Sequence, residues 1–256
     1  MSCLKRAAFV AACLAASLVG VFGLATFASA QTEPVATSSG PVVTAVALGA
    51  LTIVPFILMT TTSFVKISVV FSILRNALGT GEVPSGMVIA ALAAILSVYV
   101  MAPVGEQIAD AAGPAAANID VNDPFDDTDA LGAALDAGLV PLRAFLERNA
   151  GERERALFLD LARQARPADQ QDRVSEDDVL VLLPSFLVTE LTEAFQIGFL
   201  VFLPFLVVDL VVSNVLMSLG MHMLNPTQIS MPFKLLLFVL VDGWYLLARA
   251  LVLGYS

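Results

Sequence analysis

The chain has 256 residues, 58% of them hydrophobic and 14% charged, with a net charge of −10 and a mean hydropathy of +0.85. Soluble domains carry ~25% charged residues, so neither a soluble enzyme with one core nor a disordered chain fits this composition. Thirteen Lys+Arg against 23 Asp+Glu argue against nucleic-acid binding. A membrane-embedded chain, or one buried in a larger hydrophobic assembly, remains.

Residues 1–30 read as a cleaved secretory signal. Lys5 and Arg6 form a charged start, Ala7–Leu24 is apolar, and Ala28-Ser29-Ala30 is an A-x-A cleavage site before Gln31. An uncleaved first helix is the alternative. A lipoprotein signal at Cys13 is discounted, because the apolar run before it is too short. Both cysteines, Cys3 and Cys13, fall in this segment, so a cleaved chain has no thiol for disulfides, metal or nucleophilic catalysis. Residues 31–41 are a polar linker.

The first hydrophobic region, residues 42–105, holds Val42–Met59, Thr60–Leu78 and Met87–Val104, with a turn at Val83-Pro84-Ser85-Gly86. Val42–Met59 is long enough to span a membrane. Lys66 and Arg75 interrupt the second run.

Residues 106–178 form an acidic insert. It holds 17 acidic residues against seven arginines, which accounts for the whole net charge; the rest of the chain is balanced. Leu142, Phe145 and Leu146 share a helical face ending at Asn149-Ala150-Gly151. Leu157, Phe158, Leu161, Ala162 and Ala165 make a second amphipathic face. Ser175-x-x-Asp178 resembles a capping box.

Residues 179–256 are the second hydrophobic region. Val179–Leu224 is apolar apart from Glu190, Glu193 and Asp209, and it contains Pro184, Gly198 and Pro204. Asn225-Pro226 is expected to stop it. Ser230 then reads as the N-cap of a last helix running to about Tyr255. The segment Asn225–Met231 becomes a non-helical loop at membrane depth, tolerated only where protein covers it or it lines a cavity. That loop argues for an oligomer with a lumen. No strand pattern or internal repeat is visible, so the expected fold is all-α: membrane-type helical hairpins with an acidic helical insert. If the apolar runs span, the insert lies outside and the Lys66/Arg75 region inside, in agreement with the positive-inside rule.

Catalytic chemistry has little support. His222 is the one histidine, no phosphate-binding, zinc or nucleophile-elbow motif occurs, and Glu190 with Glu193 is a carboxylate pair without further convergent groups. Lys66, Arg75, Glu190, Glu193, Asp209, Lys234, Asp242 and Arg249 lie in apolar helices, where each costs roughly 2.5–3.5 kcal/mol facing lipid. They pair as glue within one subunit or between subunits around a channel, and both readings stay open. Met217, Met221 and Met223 around Gly220 read as core filler on composition alone.

Several runs resemble the FliP/SctR family of type III secretion export-gate proteins. They are Ser63–Thr80 (SFVKISVVFSILRNALGT), Val100–Val104 (VMAPV), Leu183–Phe199 (LPSFLVTELTEAFQIGF), Leu203–Asp209 (LPFLVVD), Gly220–Met223 (GMHM) and Ile229–Trp244 (ISMPFKLLLFVLVDGW). Thr189–Glu193 (TELTE), Val212–Val215 (VSNV) and Leu251–Tyr255 (LVLGY) look closer to the injectisome branch than to the flagellar one. Thr189, Asn225 and His222 depart from the family pattern.

The resemblance implies a non-enzymatic subunit without cofactor or metal. Five copies would assemble with SctS/FliQ-like and SctT/FliR-like partners, alongside SctU/FlhB-like and SctV/FlhA-like components. The gate would sit at the base of the apparatus in the bacterial inner membrane, with a periplasmic portion, pass unfolded substrates and template the inner rod. An unrelated channel or transporter subunit is the rival reading. Three site expectations follow: Glu190 pairs with Lys234 between adjacent subunits; Met221, His222 and Met223 point into the lumen as a deformable seal; and residues 106–178 form a water-exposed periplasmic layer against surrounding ring proteins.

Overall fold

A computed structural model of the chain describes residues 41–81, 83–117 and 128–255. The expected signal peptide and most of the polar linker lie outside the described residues. Eight α-helices follow in order: α1 (Pro41–Thr61), α2 (Phe64–Leu78), α3 (Gly86–Ala116), α4 (Thr128–Asn149), α5 (Glu152–Gln164), α6 (Val179–Ser218), α7 (Pro226–Leu240) and α8 (Gly243–Leu253), with a 3-10 turn at Ala168–Arg173. No strand occurs among the described residues, so the all-α expectation holds. The described residues divide into two compact units, one within 1–62 and 101–148, the other within 63–100 and 149–256.

In the first unit, α1 carries Pro55, α3 Pro103 and Pro114, and α4 Pro141, without interruption of the helices. α3 does not end at Val104, where the apolar run does; it continues to Ala116, because the Ala-rich sequence beyond has high helix propensity. Gly138 of α4 faces α3: a Cβ there would sit 3.5 Å from Ile108 and 3.7 Å from Ala112.

The second unit is built on α2 lying against α6, with α7 and α8 closing its side. Ile67, Val70, Phe71 and Leu74 of α2 form the core with Ala194 and Phe205 of α6, Phe238 of α7 and Leu251 of α8. The i, i+3, i+4, i+7 spacing on α2 puts those four residues on one face. Two glycines let helices approach. A Cβ on Gly198 would overlap the Ile73 side chain, and one on Gly243 would overlap the Phe238 ring. The Phe238 ring meets Trp244 edge-on at 5.2 Å and Phe205 at 6.4 Å.

Also in this unit, α5 packs Phe158, Leu159 and Ala162 against Val174 and Val181. Leu157, Leu161 and Ala165, assigned to that face by sequence, are exposed. The buried stripe is rotated because Val174 and the start of α6 cover only one flank of this short helix. Ser175 does not cap α6. Asp178 is the N-cap residue, and its carboxylate accepts the Ser175 N–H at 3.1 Å.

α6 runs 40 residues through Pro184 and Pro204 and ends six residues before the Asn225-Pro226 stop expected from sequence. The cause is Gly220 (φ +74°). Met221 N–H bonds the Leu216 carbonyl at 2.9 Å and Gly220 N–H bonds that of Met217 at 3.1 Å, the paired bonds of a Schellman ending. The non-helical segment is therefore 219–225, not 225–231. Asn225 is the true N-cap of α7, its side-chain oxygen accepting the Thr227 N–H at 3.0 Å, with Pro226 in the first turn. Ser230 is a buried residue inside α7. The expected single last helix is broken by Asp242, which adopts the left-handed conformation (φ 55°, ψ 47°), so α7 and α8 meet at 61°. Aspartate tolerates this region better than most residues.

α3 and α6 are each long and apolar enough to cross a membrane, and the bent α7–α8 pair passes the same test as a unit. Phe195, Phe199, Leu200, Leu210, Val239 and Leu240 are among many large apolar side chains exposed on α6 and α7. The protein is a membrane protein.

Candidate functional site

Five of the eight charges of the apolar helices gather at the two ends of α2. Near its start, Lys66 is buried against α6. Its Nζ lies 3.0 Å from Glu190 Oε1 and 2.6 Å from Glu193 Oε2. The two carboxylates can share one ammonium because i and i+3 lie on adjacent flanks of a helix. Tyr255, following α8, completes the group: its hydroxyl donates to Glu190 Oε2, and Lys66 Nζ stands 4.3 Å from its ring centroid, a cation–π distance. Glu190 is 1% exposed and Lys66 3%, so the pair is worth keeping only with these hydrogen bonds in place. Glu193 is different, with a side chain 48% exposed. A buried Ser63–Ser97 hydrogen bond of 3.2 Å joins the start of α2 to α3.

At the other end of α2, Lys234 reaches across from α7. Its Nζ donates to the Ala77 carbonyl at 3.0 Å and lies 2.6 Å from Asp209 Oδ2. Ala77 is in the last turn of α2, where carbonyls lack helical partners and a cation is favoured. Gly79 leaves the helix in the left-handed conformation (φ 72°). Asp209 is held from its other side by the Ser230 hydroxyl at 2.5 Å. One lysine thus joins α2, α6 and α7.

The expected Glu190–Lys234 partnership is corrected in its premise. Within the chain Glu190 meets Lys66 and Lys234 meets Asp209, so neither is a lone buried charge awaiting a neighbour. All eight charges stood out together in the sequence, but which of them meet is decided by tertiary packing, for the distant Lys66 and Glu190 as for the nearer Asp209 and Lys234. Arg75 is partly buried, while Asp242 and Arg249 are exposed. Tyr255 and Ser230 were missed as members of these groups. A tyrosine hydroxyl in an apolar run needs a polar partner, and that was the available signal.

The segment 219–225 lies apart from both ionic groups. Met221, His222 and Met223 are all exposed, Met223 at 99%. Core filler within the chain is thereby overturned for these residues. Gly220 brings no backbone close, since a Cβ there meets nothing within 4 Å; its role is the Schellman turn. Thr189, one of the departures from the family pattern, accepts the Gly151 N–H at 2.9 Å and donates to the Ser185 carbonyl at 2.8 Å. It therefore ties the α5 N-cap to α6.

The sequence model of the FliP family matches residues 47–251. The chain is similar to Yop proteins translocation protein R of Yersinia pestis, 47% identical over 214 residues, covering 82% of this chain and 94% of the relative. It is 44% identical over 206 residues to the hypersensitivity response secretion protein HrcR of Ralstonia nicotianae, covering 80% and 93%. Flagellar biosynthetic protein FliP of Buchnera aphidicola is 43% identical over 212 residues, covering 82% of this chain but 55% of the relative.

Proposed function

Because the chain belongs to the FliP family, we propose that it is a core export-apparatus subunit of a type III secretion system, forming with further copies of itself the gate for unfolded polypeptides in the bacterial inner membrane. The observation that carries this reading is the surface of the second unit. Its ionic groups are satisfied inside the chain, yet long apolar stripes on α6 and α7 and the methionines of 219–225 are left uncovered. A monomer has no use for a thioether-bearing loop at the end of a 40-residue apolar helix. A ring of copies brings those loops together as a soft constriction that excludes ions and yields to an extended chain.

The injectisome branch is favoured over the flagellar one by coverage: the relatives named for translocation and secretion match over nearly their whole length, the flagellar relative over about half. The acidic insert faces the periplasm in this reading, and SctS/FliQ-like, SctT/FliR-like, SctU/FlhB-like and SctV/FlhA-like subunits and inner-rod proteins are the partners. Chromosomal deletion should abolish secretion of type III substrates while leaving general secretion intact, and a plasmid copy should restore it. Native mass spectrometry of the purified chain should show a homo-oligomer. Unimpaired type III secretion in the deletion strain would refute the proposal.

A further inference from the structure

The group at the start of α2 does not balance. One ammonium, Lys66, serves two carboxylates, Glu190 and Glu193, so with both acids ionised the cluster carries a surplus negative charge. That surplus sits on the outer member. Glu193 is at the edge of the buried stripe of α6 and half-exposed. A net charge among apolar side chains is costly unless a cation or water meets it.

The same unit carries a complementary charge with nothing to meet it. Arg249 lies on α8, two residues from buried Leu247 on one side and buried Leu251 on the other. At 100° per residue this places it on the face opposite the buried stripe. It is exposed, and no carboxylate pairs with it among the described residues. Exposed Tyr245, Leu246 and Leu253 surround it on the helix, so it too is a charge in an apolar field.

Glu190, one turn from Glu193, touches Tyr255, six residues beyond Arg249. Within one chain, however, Arg249 lies on the face of α8 opposite its buried residues.

We propose that Glu193 of one copy receives Arg249 of the next, so that the outer face of α8 docks beside the α2–α6 seam of a neighbouring copy of this chain. The contact is heterologous: each copy offers both a Glu193 and an Arg249, so repetition closes a ring or grows a shallow helix. It neutralises the surplus charge of each cluster and covers apolar surface on both sides. The inference rests on the self-assembling gate reading above.

The test uses full-length chain in secreting cells, with Cys3 and Cys13 replaced by serine. Glu193→Cys and Arg249→Cys, carried on two differently tagged copies, should be joined by a short bismaleimide crosslinker, which bridges backbones too far apart for a disulfide, giving a band that contains both tags. Both substitutions on one chain should give a ladder of multimers. Glu193→Arg and Arg249→Glu should each lower the oligomeric fraction several-fold on native gels, and the combined swap should restore it. An intact wild-type oligomer with no 193–249 crosslink, or with both charge reversals assembling normally, overturns this contact and leaves the gate reading standing. A wild-type chain that is monomeric in native mass spectrometry while secretion proceeds overturns both.

Discussion

Lys66 and Glu190 form a buried ion pair of 3.0 Å between α2 and α6, closed from the third side by Tyr255. Removing Lys66 strands Glu190 in an apolar surround, which costs about 3–5 kcal/mol, whereas removing Glu190 leaves Lys66 its bond to Glu193 and costs less. Lys66→Met should lower the unfolding temperature of the detergent-purified protein markedly, and Glu190→Leu should lower it less. The double variant Lys66→Met, Glu190→Leu should be more stable than Lys66→Met alone, because no buried charge remains unpaired. A double variant as unstable as the sum of the singles would show the two residues acting independently.

Lys234 serves two acceptors on different helices, the Ala77 carbonyl and Asp209. Lys234→Met should destabilise the chain by about 3–5 kcal/mol and speed amide exchange at the end of α2. Asp209→Asn keeps an acceptor for Ser230 and leaves Lys234 on the carbonyl, so its cost should be smaller, about 1–3 kcal/mol. Hydrogen exchange with thermal unfolding of both variants checks the order.

Gly198 packs directly beneath Ile73. Gly198→Val should force α2 and α6 apart and cost about 1–3 kcal/mol. Ile73→Ala in the same chain should recover part of that loss, although the same change alone destabilises. Thermal unfolding of the three variants measures the coupling, and absence of any recovery would show that the clash is relieved elsewhere.

The methionines of the 219–225 segment are exposed and make no core. Met221→Ala with Met223→Ala should leave the fold and oligomer intact and raise ion leakage through the inner membrane, read by a potential-sensitive dye. Lost assembly without leakage would count against the constriction.

Helix content was legible because composition and period agree along most of the chain. So were the charges that matter, because a charge in an apolar run is conspicuous. The partners were not, since Lys66 and Glu190 or Lys234 and Ala77 are brought together only by tertiary packing. The end of α6 was misplaced because Asn225-Pro226 is the louder signal, whereas Gly220 with its two Schellman bonds does the stopping. Asp242-Gly243 is a turn dipeptide, but set in a long apolar run it was outweighed by the helical pattern, so the division of α7 from α8 was not foreseen. Tyr255 reads as one more apolar residue until Glu190 is seen against it.

The core of the second unit joins residues near Lys66 to residues near Glu190 and Leu251, with the acidic insert between them in sequence. During synthesis at 5–20 residues per second, Lys66 leaves the ribosome roughly 6–25 s before Glu190 does. The last core residue follows later still. For that interval the nascent α2 carries a cation without its native partner. Insertion of this protein therefore has a delicate period, in which water, lipid headgroups or an assisting factor must shelter Lys66 until its acid is made. Anything that stalls translation between the two lengthens the exposure.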